Sequence, residues 1–176
     1  MSFNAIRSTL GLTIITLGVW AGSVAAQGDE AKNMAVMKRF YEEVVNKGNL
    51  KLVDELVAAE FVDHEEFPGM KPGIEGLKQF FTMFRAAFPD LRFQVNDMVA
   101  KGDKVWSYIT IHGTHKGEFM EMAATGKTIE VRGFDIVRFV NGKAVEHWGL
   151  TDSMTMMQQL GAIPAPGQEE QEEMEE

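Results

Sequence analysis

The spacing of apolar residues changes once along this chain, near Asp90, and this change constrains the fold more than any other feature. Before Asp90 the apolar residues recur at intervals of three and four, and after it they alternate with polar residues. The first spacing is typical of amphipathic helices and the second of half-buried strands. Helices followed by a run of strands predict an α+β domain, with the helices packed on a mostly antiparallel sheet.

The first half of the chain predicts three helices. The first spans residues 33–47 and ends before Gly48, a residue suited to the left-handed conformation that terminates helices. A second, short helix follows Asn49, and a third spans residues 74–88 and ends at Pro89. Each helix carries its apolar residues on one face, so each is expected to pack against the sheet.

The second half predicts strands. The segments with strand character are 91–95, 99–100, 104–113, 128–139 and 143–150. Turn residues separate them at 101–103 and 141–142. Asp152 is placed to cap a final short helix at 153–160, which Gly161 ends. These elements predict a curved sheet wrapped around the first helix.

The hairpin around Asn141 and Gly142 decides which side chains meet. A two-residue turn places Asp135 opposite Trp148, whereas a type I turn with Gly142 as a bulge places Asp135 opposite His147. The second register keeps the apolar residues of both strands on one face. We therefore predict the bulged turn, with an acid and an imidazole side by side on the inward face.

Residues 1–26 have the features of a secretory signal peptide. Arg7 precedes an apolar run, and the small residues Val24 and Ala26 fit cleavage after Ala26. The alternative is an uncleaved membrane anchor, because residues 8–26 carry no charge and a span needs about 20 residues. We expect cleavage, which predicts a periplasmic or extracellular protein without a stable membrane span.

Composition bounds the rest of the chain and its partners. We expect a linker at 27–32, a single domain at 33–163 and a disordered acidic tail at 164–176. The tail is expected to be disordered because six glutamates lie in the last nine residues. The net charge of −9, with 17 basic residues, argues against a nucleic-acid partner. The absence of cysteine excludes disulfides, zinc–thiolate sites, iron–sulfur clusters, thiol catalysis and lipid attachment through cysteine.

Short strings with characteristic turn residues recur through the domain in a fixed order. They include Phe61-Val62-Asp63-His64, Ala87-Phe88-Pro89-Asp90-Leu91, Gly102-Asp103-Lys104-Val105, Gly113-Thr114-His115-Lys116-Gly117-Glu118-Phe119, Thr125-Gly126-Lys127, Asp135-Ile136-Val137-Arg138-Phe139, and Glu146-His147-Trp148 with Asp152. Together these strings resemble the SnoaL-like polyketide cyclase (ester cyclase) family over about residues 33–161.

The resemblance implies the nuclear-transport-factor-two-like fold, a cone in which a curved sheet and three helices enclose one hydrophobic pocket. It also implies homodimers or larger assemblies through the sheet, and a cofactor-free intramolecular aldol ring closure with an acid/base in the pocket. That acid/base position falls on His147, and the pocket tyrosine of the first helix falls on Tyr41. Two further polar positions of the best-known cyclase fall on Val131 and Gly133.

Ketosteroid isomerase belongs to the same superfamily, and its pattern matches this chain in part. Its helix-one tyrosine matches Tyr41 and its aspartate matches Asp135, while its base falls near His64 and Glu65. The two resemblances point to the same wall of the cone.

The predicted catalytic residues are His147, Asp135, His64 and Tyr41. On the favoured register, Asp135 is the partner that can raise the basicity of His147 for abstracting a proton next to a carbonyl. A protonated Asp135 can instead donate to an enolate oxygen. Each of these residues also has a structural interpretation. His147 can be a strand residue at the surface, and Asp135 can be a carboxylate that binds backbone amides. His64 can be an exposed loop residue, and Tyr41 can be a core aromatic.

The predicted substrate-binding residues are Trp106, Phe81, Phe84 and Val131, with methionines as adaptable lining of an apolar pocket. No cofactor is expected. No metal is expected either, because His112 and His115 fall on opposite faces of a strand and no third ligand lies nearby in the sequence.

These features predict an exported, cofactor-independent enzyme of cyclase or isomerase type, which transfers a proton next to the carbonyl of a small hydrophobic substrate. The alternative is a non-catalytic carrier that uses the same pocket, which the apolar Val131 and Gly133 and the exported location favour. A third reading is a sheet-mediated interaction module whose pocket is filled by side chains. The fold alone does not decide among them.

Overall fold

The computed structural model describes residues 21–65 and 69–164, with side chains from residue 29 onward. Helix α1, Ala21–Arg39, continues without a break as a π-helical segment, Phe40–Asn46. Gly48 follows with a φ of 72°, as predicted. Residues 27–32, expected to be a linker, belong to this helix. Glu30 accepts a hydrogen bond of 2.7 Å from the backbone N–H of Gly102, which ties this part of the helix to the turn between two strands.

Short elements lead from the first helix to the sheet. A 3₁₀ turn, Leu50–Leu52, precedes helix α2, Val53–Leu56, and strand β1, Val57–Asp63. The side chain of Asn49 caps neither of the two helical turns. Helix α3, Gly73–Ala87, follows close to its predicted bounds.

A five-stranded sheet forms the second layer. Its strands are β2, Arg92–Lys101; β3, Lys104–Thr114; β4, Thr128–Val140; and β5, Lys143–Thr151, together with β1. The order is β1-β5-β4-β3-β2, and only the β1–β5 pair is parallel. Helix α4, Ser153–Leu160, is capped by Asp152, whose carboxylate accepts a hydrogen bond of 3.0 Å from the N–H of Thr155.

The β4–β5 hairpin differs from the predicted bulged turn. Asn141 and Gly142 form a two-residue turn with φ values of 52° and 77°, the left-handed region that these residue types tolerate. A bulge follows at Val145, which is buried beside the buried Ala144 and has no partner in β4. His147 therefore pairs with Val137, and Asp135 pairs with Gly149.

The inner face of the sheet carries the core. Along β3 and β4 buried and more exposed residues alternate, so one face packs against the helices and the other faces outward. The packed helical residues include Met37, Tyr41, Val44, Phe81 and Phe84. The α+β prediction, with a curved, mostly antiparallel sheet, is confirmed. The final short helix predicted at 153–160 is present as α4, in addition to the three helices of the first half.

The predicted signal sequence lies largely outside the described residues, as does nearly all of the acidic tail. Residues 21–26 of the predicted signal sequence form the first turns of α1. No helix within residues 21–65 and 69–164 combines the length and hydrophobicity that a membrane crossing requires.

Candidate active site

A cavity of about 1120 Å³ lies between the helices and the inner face of the sheet. Many of the residues that line it are aromatic or sulfur-containing. The lining includes Phe40, Phe80, Phe81, Phe84, Phe93, Phe119, Met120, Met156 and Met157. Its polar groups lie mainly where β1, β4 and β5 adjoin, with Asp63, Glu65, Asp135 and His147 in the lining. An apolar chamber with a few grouped polar residues is typical of small-molecule sites.

Four side chains form one hydrogen-bonded chain at the polar end of the cavity. The hydroxyl of Tyr41 donates to Asp135 Oδ2 at 2.5 Å. His147 Nε2 lies 3.3 Å from Asp135 Oδ1, and His147 Nδ1 lies 2.8 Å from Asp63 Oδ1. Each ring nitrogen of the imidazole therefore faces a carboxylate.

Each member of this chain is placed by a different element. Tyr41 lies in the π-helical segment, and such segments are frequent at functional sites. Asp135 projects inward from β4, and His147 projects inward from β5 after the Val145 bulge. Asp63 ends β1 and pairs with His147, while the N–H of the next residue, His64, donates to His147 O at 2.9 Å.

The charge of His147 is set by its two carboxylate partners. Burial lowers the pKa of His147, but the hydrogen bonds and negative charges of Asp135 and Asp63 outweigh it and raise the pKa to about 10. The imidazole is then a cation at neutral pH, with both N–H groups donating to carboxylates. In this state His147 is a hydrogen-bond donor and not the base that the sequence predicted.

Tyr41 is held in its neutral form. Burial raises the pKa of Tyr41 well above its usual range, and the charge and hydrogen bond of Asp135 act in the same direction. Ser107 lies directly opposite Asp135 in β3, and its buried Oγ has no well-formed hydrogen bond among the described residues. The Ser107 hydroxyl has the opposite effect on Tyr41 and lowers its pKa.

His64 lines the cavity but does not belong to this hydrogen-bonded chain. Its Nε2 lies 3.1 Å from Glu146 Oε1, and its ring stacks on Trp148 at 4.7 Å between centroids. Asp63 and Glu65, its neighbours in the sequence, also line the cavity and are absent from the predicted catalytic residues.

The predicted substrate-binding residues divide into three groups. Phe81 and Phe84 are buried and line the cavity, as expected. Trp106 lies on the outer face of β3 and is 48% exposed, so its predicted position is wrong. Val131 is buried on the inner face of β4 but lies outside the cavity wall, because the core fills the space above it.

The two histidines considered as metal ligands are separated. His115 is fully buried, stacks on Phe88 at 5.2 Å between centroids, and its Nδ1 accepts a hydrogen bond of 3.3 Å from the N–H of Thr125. His112 is partly exposed and lies 4.0 Å from Glu130. Within the described residues, no group of three or more His, Cys, Asp or Glu could hold a metal ion.

Comparisons with known proteins identify the family of this domain. The family model for SnoaL-like polyketide cyclases matches residues 35–160. Nogalonic acid methyl ester cyclase from Streptomyces nogalater is 25% identical over 118 residues, which cover 66% of this chain and 88% of that protein.

Two solved structures share the fold of this chain. TsrD from Streptomyces laurentii superimposes with a TM-score of 0.70 at 26% identity, covering 76% of this chain and 97% of that one. IdmH from Streptomyces antibioticus gives a TM-score of 0.65 at 34% identity, covering 73% of this chain and 98% of that one. The fold, the pocket and the family match lead to one conclusion: this chain belongs to the SnoaL-like polyketide cyclase family.

Proposed function

We propose that this protein is a cofactor-independent enzyme of cyclase or isomerase type that transfers a proton next to the carbonyl of a small hydrophobic substrate. The observation that carries the proposal is the chain Tyr41–Asp135–His147–Asp63 at the polar end of an otherwise apolar cavity. A buried acid and base within hydrogen-bond reach of each other are what enolisation requires.

In the proposed step, the carboxylate of Asp135 takes the proton from the carbon next to the carbonyl. The C–H bond breaks, an O–H bond forms on Asp135, and the electron pair moves to the carbonyl oxygen, which becomes an enolate. Once Asp135 is neutral, the Tyr41 hydroxyl and the His147 N–H that it held are free to donate to that oxygen. A positive imidazolium beside the oxygen stabilises the charge that forms.

Exchange of carbon-bound protons tests this step without knowledge of the natural substrate. The probe is 2-tetralone, an aromatic ketone with acidic protons next to its carbonyl, followed by NMR in D₂O. Wild type should accelerate the exchange over buffer, and Asp135→Asn should slow it by about 100-fold or more. His112→Gln, a histidine on the same sheet outside the cavity, is the matched control and should match wild type.

Two results would contradict the proposal: no acceleration by wild type, or an Asp135→Asn variant as fast as wild type. Exchange should also survive dialysis against a chelator, because the proposed step uses only side chains. Loss of exchange on dialysis would refute cofactor independence.

A non-catalytic carrier is the second candidate function. The observation that favours it is that every donor of Tyr41 and His147 is already occupied by a carboxylate, so the network is complete without a ligand. If the protein is a carrier, 2-tetralone should bind while its exchange rate stays at that of buffer.

The third candidate, an interaction module, requires a pocket filled by side chains, which the cavity of about 1120 Å³ contradicts.

We also propose that the protein is exported and forms a homodimer. Export is supported by the charge-free apolar segment and the small residues at Val24 and Ala26. Expression of the full chain in a bacterial host, followed by N-terminal sequencing of the periplasmic protein, should give Gln27 as the first residue. An intact N-terminus in the membrane fraction would contradict cleavage. The homodimer is supported by the exposed apolar residues on the outer face of the sheet, which include Phe134 and Leu150.

A further inference from the structure

The carboxyl group of Glu65 lies beside the catalytic chain in a space left open by a glycine. A β-carbon on Gly149 would overlap Glu65 Oε2 and would lie 2.9 Å from His147 Cε1. Gly149 is the β5 residue directly opposite Asp135. The backbone N–H of Glu65 also donates to Asp63 Oδ1 at 3.0 Å, which turns the chain at the end of β1 and directs Glu65 along the cavity.

Glu65 differs from the other two carboxylates in its hydrogen bonds. Asp63 accepts from His147 and from the N–H of Glu65, and Asp135 accepts from Tyr41 and His147. The carboxyl of Glu65 has no hydrogen-bond partner among residues 21–65 and 69–164. A half-buried carboxyl group without a hydrogen-bond partner contributes binding free energy when a ligand brings a hydrogen-bond donor to it.

We infer that Glu65, in the space above Gly149, is a specificity-determining residue that favours ligands bearing a hydroxyl or ammonium group and rejects ligands bearing a carboxylate. The inference rests on the proposed function, because it takes the cavity to be the place where the substrate binds. It adds the charge class of that substrate to the proposal.

The charges around Glu65 support this selection. Asp63 from β1, Asp135 from β4 and His147 from β5 are the groups whose charges act on it, so three carboxyl groups face one imidazolium. Lys71 lines the same cavity but is exposed at its mouth. An anionic ligand would bring a fourth negative charge into this poorly solvated end, which costs free energy unless a cation compensates it.

The direction of the pKa of Glu65 reflects the same surroundings. Burial raises this pKa, the charge of His147 lowers it, and the charges of Asp135 and Asp63 raise it further. The carboxyl therefore resists ionisation in the empty cavity. A ligand that is cationic or donates a hydrogen bond lowers the pKa of Glu65 and favours its ionised form, whereas an anionic ligand raises this pKa.

Four naphthalene probes that differ only in one substituent test the inference by calorimetry. They are 2-naphthylmethanol, 2-naphthylmethylammonium, methyl 2-naphthoate and 2-naphthoate, measured with wild type and with Glu65→Gln. Wild type should bind the ammonium and the alcohol more tightly than the ester, and the ester more tightly than the carboxylate. Glu65→Gln should weaken ammonium binding by about 10-fold and strengthen carboxylate binding by a similar factor.

The matched control is Glu60→Gln, which removes an exposed carboxylate outside the cavity from β1, the strand that precedes Glu65. It should keep the wild-type order of affinities. Gly149→Ala is the second variant, because the added methyl group displaces the Glu65 carboxyl while keeping its charge. Gly149→Ala should weaken ammonium binding as Glu65→Gln does.

Two outcomes would overturn the inference: unchanged affinities in Glu65→Gln, or wild type that prefers 2-naphthoate to its ester. Either can occur while 2-tetralone exchange proceeds normally, which leaves the proposed function standing. Failure of all four probes to bind wild type would overturn both the inference and the use of the cavity.

Discussion

At the residue scale, two carboxylates determine the charge of His147. Two carboxylates, from strands on either side of β5, hold the two ring nitrogens. The cost of burying a cation is offset because both N–H groups donate to negative charges. The imidazolium is thus a fixed positive charge at the place where an enolate would form.

Removal of one carboxylate should lower the pKa of His147. In Asp63→Asn the Nδ1 partner keeps its shape but loses its charge, so the pKa of His147 should fall by about 1 to 3. An NMR titration of the imidazole measures this directly. Glu60→Gln, which removes a carboxylate from the same strand but not from the cavity, is the control and should leave the titration unchanged. A pKa in Asp63→Asn equal to that of wild type would contradict the described contact.

The same contact makes stability depend on pH. The pKa of His147 is about 10 in the folded protein against the ordinary 6.5, so the folded state binds more protons between these values. The free energy of unfolding from this residue is therefore fully present below about pH 6.5 and is lost as the pH rises toward about 10. Urea unfolding at both ends of this window should show the decline, and His147→Gln should flatten it. If the free energy of unfolding fell equally with pH in wild type and His147→Gln, the raised pKa of His147 would be contradicted.

Loss of the Tyr41 hydroxyl should affect both stability and proton exchange. Tyr41→Phe leaves Asp135 Oδ2 without its 2.5 Å donor and should destabilise the protein by about 1–3 kcal/mol in urea unfolding. It should also slow 2-tetralone exchange. Tyr108→Phe is the matched control, because Tyr108 lies on the outer face and stacks on Phe134. Equal stability losses in the two variants would contradict a special role for the Tyr41 hydroxyl.

Sequence patterns predict three of the four residues in the hydrogen-bonded chain, namely Tyr41, Asp135 and His147. They indicate His64 where the structure places Asp63. Which of these neighbours joins the chain depends on which face of β1 points into the cavity. By strand alternation Asp63 lies on the same face as the buried Phe61. Trp106 was misplaced for a related reason, because β3 has apolar residues on both faces and alternation cannot say which face is inward.

At the scale of elements, the segment after β3 is fixed to the end of α3. The N–H groups of Lys116 and Gly117 both donate to Ala87 O, at 2.8 and 3.0 Å. This contact brings Phe119 against Phe84, with ring centroids 5.5 Å apart, and completes one wall of the cavity. The close approach of the two backbones requires a residue without a side chain at 117.

Gly117→Ala should therefore destabilise the protein more than a glycine substitution in an open turn. The added β-carbon would overlap Ala86 O, and we expect a loss of about 2 kcal/mol or more. In Gly102→Ala nothing lies within 4 Å and only the φ of 64° is unfavourable, so a loss of about 1 kcal/mol is expected. Thermal and urea unfolding measure both. A larger loss in Gly102→Ala would contradict the described packing.

The β4–β5 hairpin shows what sequence can and cannot determine about an element. Periodicity gave both strands and placed Asp135 and His147 on one face, which the 3.3 Å contact confirms. The register differs because the extra residue lies at Val145 and not at the turn. Two adjacent buried residues, Ala144 and Val145, mark this bulge in the structure. In the sequence they resemble any short apolar pair.

At the scale of the whole molecule, the outer face of the sheet is unusually apolar. Pairing across β3, β4 and β5 aligns one row of Trp106, Ile136 and Trp148, and a second of Tyr108, Phe134 and Leu150. Phe134 is 54% exposed and Leu150 is 71% exposed. A continuous apolar surface of this kind is typical of an interface, which supports the proposed homodimer.

A charge placed in the middle of these rows should prevent the assembly. Phe134→Glu should convert a dimer into a monomer in sedimentation velocity, because a carboxylate would be desolvated at the interface. Met154→Glu is the matched control, since Met154 is exposed on α4, away from the sheet face. It should remain dimeric. A monomeric wild type, or a dimeric Phe134→Glu, would contradict this interface.

We expect the polar end of the cavity to hold the reacting oxygen of the substrate. A crystal structure with 2-naphthol, a planar analogue of the enol of 2-tetralone, would show where this oxygen lies. The naphthol oxygen should be within hydrogen-bond distance of Tyr41, Asp135 or His147, with the rings among Phe81 and Phe84. An oxygen that faces the apolar end, or a naphthol bound outside the cavity, would refute this placement of the substrate.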